Sequence, residues 1–478
     1  MTDSSGKSLW GGRFGEGMAP EMAPFNLSLG TDQRLWREDV RGSVAWARAL
    51  GAASVLTDHE TDQIVDGLER VSERILREGL ADAPEEDIHS VVERMLGEEA
   101  GDVAGKLHTG RSRNDQSATG VRLYGMAAAD RISASLVELC DALYALALRG
   151  REIIMPGYTH LQQAQPLLAA QWVLSHLFPV LRDLERVRAA RASASVLPLG
   201  SGAIAGCPFP IDRDSLRLEL GFDRVAENSV DAVSDRDWIC DLTYAGAMIG
   251  VHLSRLSEDL VLFSSTELGF VRLSDGFSTG SSLMPQKRNP DVAELARGKS
   301  GRLVGNLMSI LTLLKGLPTS YNRDLQEDKV PLFDTIDTLL LTLPAISAAI
   351  SSTELRADRM GASMDEQLLA TDLADYLVRR GVPFRVSHDV VGRLVRLSET
   401  RGVALSGLRL EEYRDVHDAF EADVFEVFDW RVSVEARNAD GGTSTRSVSN
   451  QLDEARRRID EARRHVDDAR RGLENAGV

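Results

Sequence analysis

Four polar stretches of this chain hold residue types that move protons and grip carboxylates. Residues 280–291 read GSSLMPQKRNPD, with two serines behind a glycine and then Lys287 and Arg288. A loop leaves backbone N–H groups free beside such side chains, so it can hold an anion. A second stretch offers Thr109, Arg111, Ser112, Arg113 and Asn114. A third offers Tyr158, Thr159, His160, Gln162, Gln163 and Gln165, and a fourth Tyr321, Asn322, Arg323, Gln326 and Lys329. Each is weak alone: a single histidine is more often a hydrogen-bonded structural residue, and Gly/Ser loops before helices are common. Together they supply donors for several carboxylates, a histidine and serines. That set suits general acid–base chemistry on a polyanionic small molecule, with electrostatic stabilisation of a carbanion-like state.

Other chemistries fit less well. GSGAIAG (200–206) has the wrong glycine spacing for a dinucleotide loop and runs into Pro208 rather than a helix. Gly298-Lys299-Ser300 resembles the end of a P-loop, but Ala293 stands where the earlier glycine belongs. There is no HExxH, no close metal-ligand cluster and no GxSxG elbow.

The elements that position these stretches read as helices. Asn289 suits an N-cap, Pro290 a first helical position, and Asp291 and Glu294 a first turn, so a helix is expected over 290–315. Thr57-Asp58-His59-Glu60 reads as a capping box, followed by Ile64, Leu68, Val71 and Ile75 at helical spacing. Helical patterns also cover 117–149 (stopped by Gly150), 167–195 with Pro179 inside, 234–268 and 331–351. Residues 151–166 read as a break, 196–212 as a loop and 317–329 as a polar break. The expected fold is mainly α. Three domains are expected around a central bundle of very long helices: residues 1–111, 112–355 and 356–478. Leu452, Ile459, Val466 and Leu473 form a heptad stripe on the last helix, which is expected to pack on its own domain.

Composition narrows the classes. The 478 residues are 43% hydrophobic and 5% aromatic, with a net charge of −18, which argues against nucleic acid or an anionic membrane as partner. The apolar stretch from Leu339 is short for a membrane span and carries Pro344, which favours a buried bundle helix. Three scattered cysteines and an N-terminus without an apolar core suit a reducing cytoplasm.

GSSLMPQKRNPD resembles the signature loop of the fumarase/aspartase superfamily, whose members release fumarate by cleaving C–N or C–O bonds. WGGRF (10–14), GKLHTGRSRNDQ (105–116) and PGYTHLQQAQP (156–166) resemble the argininosuccinate lyase family within it, as do LGSGAIAGCPFPIDR, GLPTSYNRDLQEDK and the stretch around His388. The resemblance covers nearly the whole chain and implies a fumarase/aspartase-like fold. It implies elimination of argininosuccinate to arginine and fumarate through an aci-carboxylate. It gives Ser281 the carbon proton, and His160, oriented by Glu294, the proton on the leaving nitrogen through Thr159; the reverse assignment stays open. Lys287 and Asn289 would stabilise the aci-carboxylate. Ser28, Ser112, Arg113, Asn114, Tyr321, Gln326 and Lys329 would contact substrate, with Asp87, His89 and Arg236 near the site. No cofactor or metal is implied. A homotetramer with active sites shared between chains is. The competing readings are a sister lyase acting on adenylosuccinate, aspartate or malate, a crystallin-like structural protein on the same scaffold, and a helical interaction module.

Overall fold

The computed structural model describes residues 18–80 and 83–475, with side chains to residue 471. The WGGRF stretch and the side chain of Leu473 in the heptad stripe lie outside what it describes. Helix α1 (Trp36–Ala52), α2 (Asp58–Glu78) and α3 (Ile88–Ala100) precede the bundle. The expected capping box opens α2: Glu60 N donates to Thr57 Oγ1 at 3.3 Å, and Thr57 N to Glu60 Oε2 at 3.0 Å.

The longest helix, α4 (Arg113–Arg149), begins four residues before the apolar pattern does. Ser112 and Asp115 form a second capping box there, with an aspartate in place of the usual glutamate, so a polar stretch that reads as loop is the first helical turn. Gly120 and Gly125 do not break it. A Cβ on Gly125 would lie 2.3 Å from the Trp238 ring, so the glycine makes room for a packed indole rather than a bend. Gly150 ends the helix without a left-handed turn (φ −88°).

Residues 151–166, read as a break, contain an antiparallel hairpin, β1 (Ile154–Thr159) and β2 (Gln162–Leu168), with a bulge at Gly157/Tyr158. Its glutamines and prolines hide the alternation that a strand normally displays. The bundle continues with α5 (Ala169–Ala194), α6 (Asp237–Phe263), α7 (Asp291–Leu314) and α8 (Lys329–Ser352). Arg122 donates to the carbonyls of Ser193 and Ala194, which sets the start of α4 against the end of α5. Arg149 donates to Thr353 O at 3.2 Å, which aligns the ends of α4 and α8. Arg236 pairs with Asp328 where α6 and α8 begin. Thus α4, α6 and α8 run one way and α5 and α7 the other.

Residues 323–352 are in fact long and apolar enough to cross a membrane by length and composition, so length does not exclude a span as expected. Leu332, Ile336, Leu339, Leu343, Ile346 and Ile350 are instead buried in the bundle core. A separate core around Leu373, Leu377, Val390, Leu394, Tyr413 and Phe420 joins α9 (Ala370–Arg379) and α10 (Phe384–Arg401).

The last helix, α11 (Thr445–Asn475), departs from expectation: it packs on α4 and α5 rather than on that second core. Val448, Leu452, Ala455 and Ile459 of its stripe enter the bundle core, where Leu452 and Ile459 each contribute roughly 1.5–3 kcal/mol. Gln451 Nε2 reaches Gln171 Oε1 at 3.0 Å, and Arg463 reaches Asp141 at 2.5 Å.

Candidate active site

The expected site residues fall into two groups at opposite ends of the bundle. The first lies where α4, α6 and α8 begin. Ser28 donates to Asp32 Oδ2 at 2.6 Å, and Asp32 Oδ1 accepts from Ile88 N at 3.1 Å, which brings Ser28 beside Asp87. Asp87 caps α3, accepting from Ser90 N at 2.8 Å. Burial works against its charge, but His89 and Arg113 outweigh burial and hold its carboxyl below the ordinary value.

His89 Nδ1 donates to Asp39 Oδ1 at 2.6 Å, and Gln116 Nε2 donates to the same oxygen at 2.7 Å. Although the group is buried, His89 and Arg111 hold the Asp39 carboxyl down at about 2, so it accepts from the ring Nδ1–H. Nε2 of His89 has no hydrogen-bond partner among the described residues. Arg113 pairs with Glu93 at 2.9 Å and donates to Gln116 Oε1 at 2.9 Å. Asn114 Nδ2 donates to Ala203 O at 3.3 Å.

Asp115 is the element that assembles this end. One oxygen accepts from Ser112 N at 2.9 Å; the other accepts from Gly200 N at 3.0 Å and Gly202 N at 2.8 Å. The GSGAIAG loop therefore wraps a buried carboxylate. Gly202 takes φ +60°, and a Cβ there would lie 2.9 Å from Gly206 O.

Arg236 and Lys329 both donate to Asp328, Lys329 at 2.9 Å, and all three are buried. Burial opposes the Asp328 charge, but Lys329 and Arg236 hold its carboxyl below the ordinary value. Tyr321 shares this environment: burial pushes its phenol up, opposed by Arg323 and Arg236. Arg323 closes the loop onto the segment that precedes the bundle, through Glu86 at 2.5 Å and Asn26 O at 3.0 Å. Gln326 is half-buried in the short 3-10 turn Arg323–Asp328.

The second group lies where α4, α6 and α8 end and α7 begins. Thr159 and His160 are exposed at the tip of the β1–β2 hairpin. His160 (φ +56°) and Leu161 (φ +58°) form its two-residue turn, which requires a left-handed backbone that costs non-glycine residues energy. Gln163 fastens the tip to Ser363 O at 2.7 Å.

The signature loop is closed at its base. Thr279 N donates to Asn289 O at 3.1 Å and Asn289 N to Thr279 O at 2.8 Å. This corrects the N-cap expectation: Asn289 bridges back to Thr279, Pro290 occupies the cap position, and α7 starts at Asp291 without a side-chain cap. Arg288 is tied to Asp275 at 2.5 Å and to Leu273 O at 2.8 Å. Between these anchors the loop stands open, with Leu283 83% exposed. Ser281 Oγ accepts from Leu283 N at 3.2 Å and Met284 N at 3.0 Å. Lys287 is exposed on the same loop, and Glu294 is exposed in the first turn of α7. Within the chain no hydrogen bond or ion pair joins His160 to Glu294 among the described residues. Nor does any group of three His, Cys, Asp or Glu side chains converge there as a metal site.

Sequence reasoning missed Asp39, Asp115 and Asp328. All three are carboxylates that act through other residues, so only their spatial partners disclose them.

The family model described as Lyase matches residues 12–305, and the one described as Argininosuccinate lyase C-terminal matches residues 367–435. An argininosuccinate lyase of Roseiflexus sp. (strain RS-1) is 54% identical over 451 residues, 94% of this chain and 99% of that protein. The chain belongs to the argininosuccinate lyase family. A probable argininosuccinate lyase of Schizosaccharomyces pombe (strain 972 / ATCC 24843) is 45% identical over 451 residues, 94% of this chain and 98% of that one. Among solved structures, EDDS lyase in complex with formate superposes with a TM-score of 0.85 at 27% identity, covering 96% of this chain and 94% of that one. Class II fumarase from Schistosoma mansoni shares the fold, with a TM-score of 0.72 at 18% identity over 84% of this chain and 90% of that one. This member of the argininosuccinate lyase family is thus a lyase on the mainly α, fumarase-like fold that the resemblance implied.

Proposed function

We propose that the chain eliminates arginine from argininosuccinate and releases fumarate. The observation that carries this reading is the Ser281 oxygen, which receives two backbone N–H groups within the loop that also holds Lys287. A serine is a poor base unless its alkoxide is stabilised, and two amide donors with a nearby ammonium supply that stabilisation. The alkoxide takes the proton from the carbon beside a succinyl carboxylate. Lys287 and Asn289 hold the resulting aci-carboxylate. The C–N bond then breaks, and His160, through Thr159, protonates the nitrogen that leaves as arginine. The reverse use of Ser281 and His160 is the second assignment, and the pH dependence of a Glu294 variant separates the two. Incubation with argininosuccinate, followed by the ultraviolet absorbance of fumarate, tests the reaction; no absorbance rise with folded protein overturns it.

The reading extends to the assembly. Ser112, Arg113, Asn114, Arg236 and Lys329 sit at one end of α4, and His160 follows its other end. At 1.5 Å per residue this unbroken helix separates its ends by about 55 Å. A small substrate cannot touch both groups in one chain, whereas an antiparallel neighbour brings one group beside the other. Val304, Met308 and Leu311 on α7, Tyr244 and Val251 on α6, and Leu341 on α8 are exposed apolar residues that such a neighbour would cover. The proposed form is a cytoplasmic homotetramer with shared sites, serving arginine biosynthesis or, in a urea-cycle setting, nitrogen disposal. His160 and Glu294 lie at the same end of the chain without touching, so their pairing would take a further neighbour of the tetramer aligned the same way.

A further inference from the structure

Behind the base of the signature loop lies a cavity of about 370 Å³ that shares only Asn289 with the groups of the proposed reaction. Arg272, Arg288, Arg356 and Arg359 line it, together with Thr266 and Asn289, and no carboxylate does. That is anomalous on a chain of net charge −18. Two of the guanidiniums are compensated nearby: Arg288 by Asp275, and Arg356 by Asp358 at 3.0 Å. Arg272 and Arg359 make no ion pair among the described residues; Arg359 donates only to the carbonyls of Thr266 at 3.3 Å and Glu267 at 3.5 Å.

Concentrating four guanidiniums around one space, only two of them in ion pairs, leaves a net positive field that an entering anion would offset. We propose that this cavity binds a small phosphate-bearing anion, and that occupancy stiffens the base of the loop 280–288. Arg359 has no carboxylate partner and Arg272 shares only the field of Asp275, so a dianion is favoured; a phosphate monoester carries about −1.5 to −2 at neutral pH, where one carboxylate supplies a single charge. Guanidinium forks match phosphoryl oxygens two at a time. The cavity lies within the roughly 300–1,000 Å³ range of small-molecule sites, which leaves room for an organic group beyond the phosphate. Arg288 and Asn289 lie where the loop rejoins the body, so an anion on Arg288 bears directly on the Thr279–Asn289 bridge. The binding site does not depend on argininosuccinate being the substrate; its effect on turnover rests on that reading.

The test is tryptic cleavage of the full-length protein after Lys287 and Arg288, without substrate and at constant ionic strength. Adenosine 5′-monophosphate, inorganic phosphate and citrate are titrated in separate arms. The expected result is saturable protection of at least about fivefold by the phosphate probes. The nucleotide should act at lower concentration than inorganic phosphate if the organic group is bound. Arg272→Gln/Arg359→Gln should lose the protection while keeping wild-type circular dichroism and basal turnover, and Arg359→Lys should retain part of it. No saturable protection by either phosphate probe overturns the proposal. So does equal protection in the double variant, which would place the anion on Lys287 and Asn289 in the proposed substrate site. Citrate protecting as well as phosphate overturns the assignment of phosphate.

Discussion

Asp328→Asn isolates the polar device that holds the first half of the site. The carboxylate is buried between Arg236 and Lys329, which are themselves buried. Asparagine keeps the shape but offers one acceptor oxygen, so it can serve one cation while turning an NH2 toward the other. One buried cation is then left without its partner, a change that costs about 3–5 kcal/mol. The folded-to-unfolded ratio should fall by about two to four orders of magnitude. Removing the stranded charge as well should recover part of the loss, so Asp328→Asn/Arg236→Gln should be less unstable than the sum of the single variants by about 2 kcal/mol. The pH dependence has a fixed sign. A carboxyl held below its ordinary value contributes stability above that value and loses it as pH falls through the lower folded value. The gap between wild type and Asp328→Asn should therefore stay level from neutral pH down to about pH 4 and narrow below it. Urea unfolding at one fixed protomer concentration reads all three quantities, since an oligomer's stability depends on concentration. A single-variant loss under about 1 kcal/mol, or strict additivity in the double variant, would refute the reasoning.

Ser281→Ala should lower turnover by about 10²–10⁴-fold while leaving the global unfolding midpoint unchanged, because its loop is exposed; near-native turnover in purified protein removes the serine from the mechanism. Glu294→Gln should shift the limb of the pH–rate profile that reports His160, and an unchanged profile means the two do not pair. Glu38 predicts a stability change of opposite sign to Asp328. Burial pushes its carboxyl up to about 7, and Oε2 is shut off without a hydrogen-bond partner. Wild-type stability should therefore drop as pH rises from the ordinary glutamate value through about 7, by at most about 3 kcal/mol, and Glu38→Gln should abolish that drop; parallel pH curves for the two proteins contradict it.

The long helices were legible because their apolar periodicity is the same signal that buries them, and the bundle followed from it. Local polar chemistry was read less well. Asn289 has the side chain of an N-cap, yet its backbone is committed to Thr279, and only the folded loop reveals that pairing. The hairpin carrying His160 looked like a break because Gln162, Gln163, Gln165 and the prolines mask the strand. Ser281 Oγ terminates two loop amides, a local role that a serine's place in GSSLMPQKRNPD does not disclose. The terminal stripe disclosed a packed helix but not its partner, since Leu452 and Ile459 would suit any apolar groove. Asp39, Asp115 and Asp328 were invisible because a buried carboxylate is defined by the donors around it, and those come from residues 50 to 92 positions away for His89, Gly200 and Arg236.

The central claim is that the two ends of α4 serve one site only when they come from different chains. Co-expression of two variants, Arg113→Ala and His160→Ala, each inactive alone, tests it most directly, with fumarate release from argininosuccinate as the readout. In verified mixed oligomers formed at random from equal amounts, about a quarter of the sites should draw both intact groups and restore about a quarter of wild-type activity. Mixed oligomers of confirmed composition that release no fumarate would contradict the account.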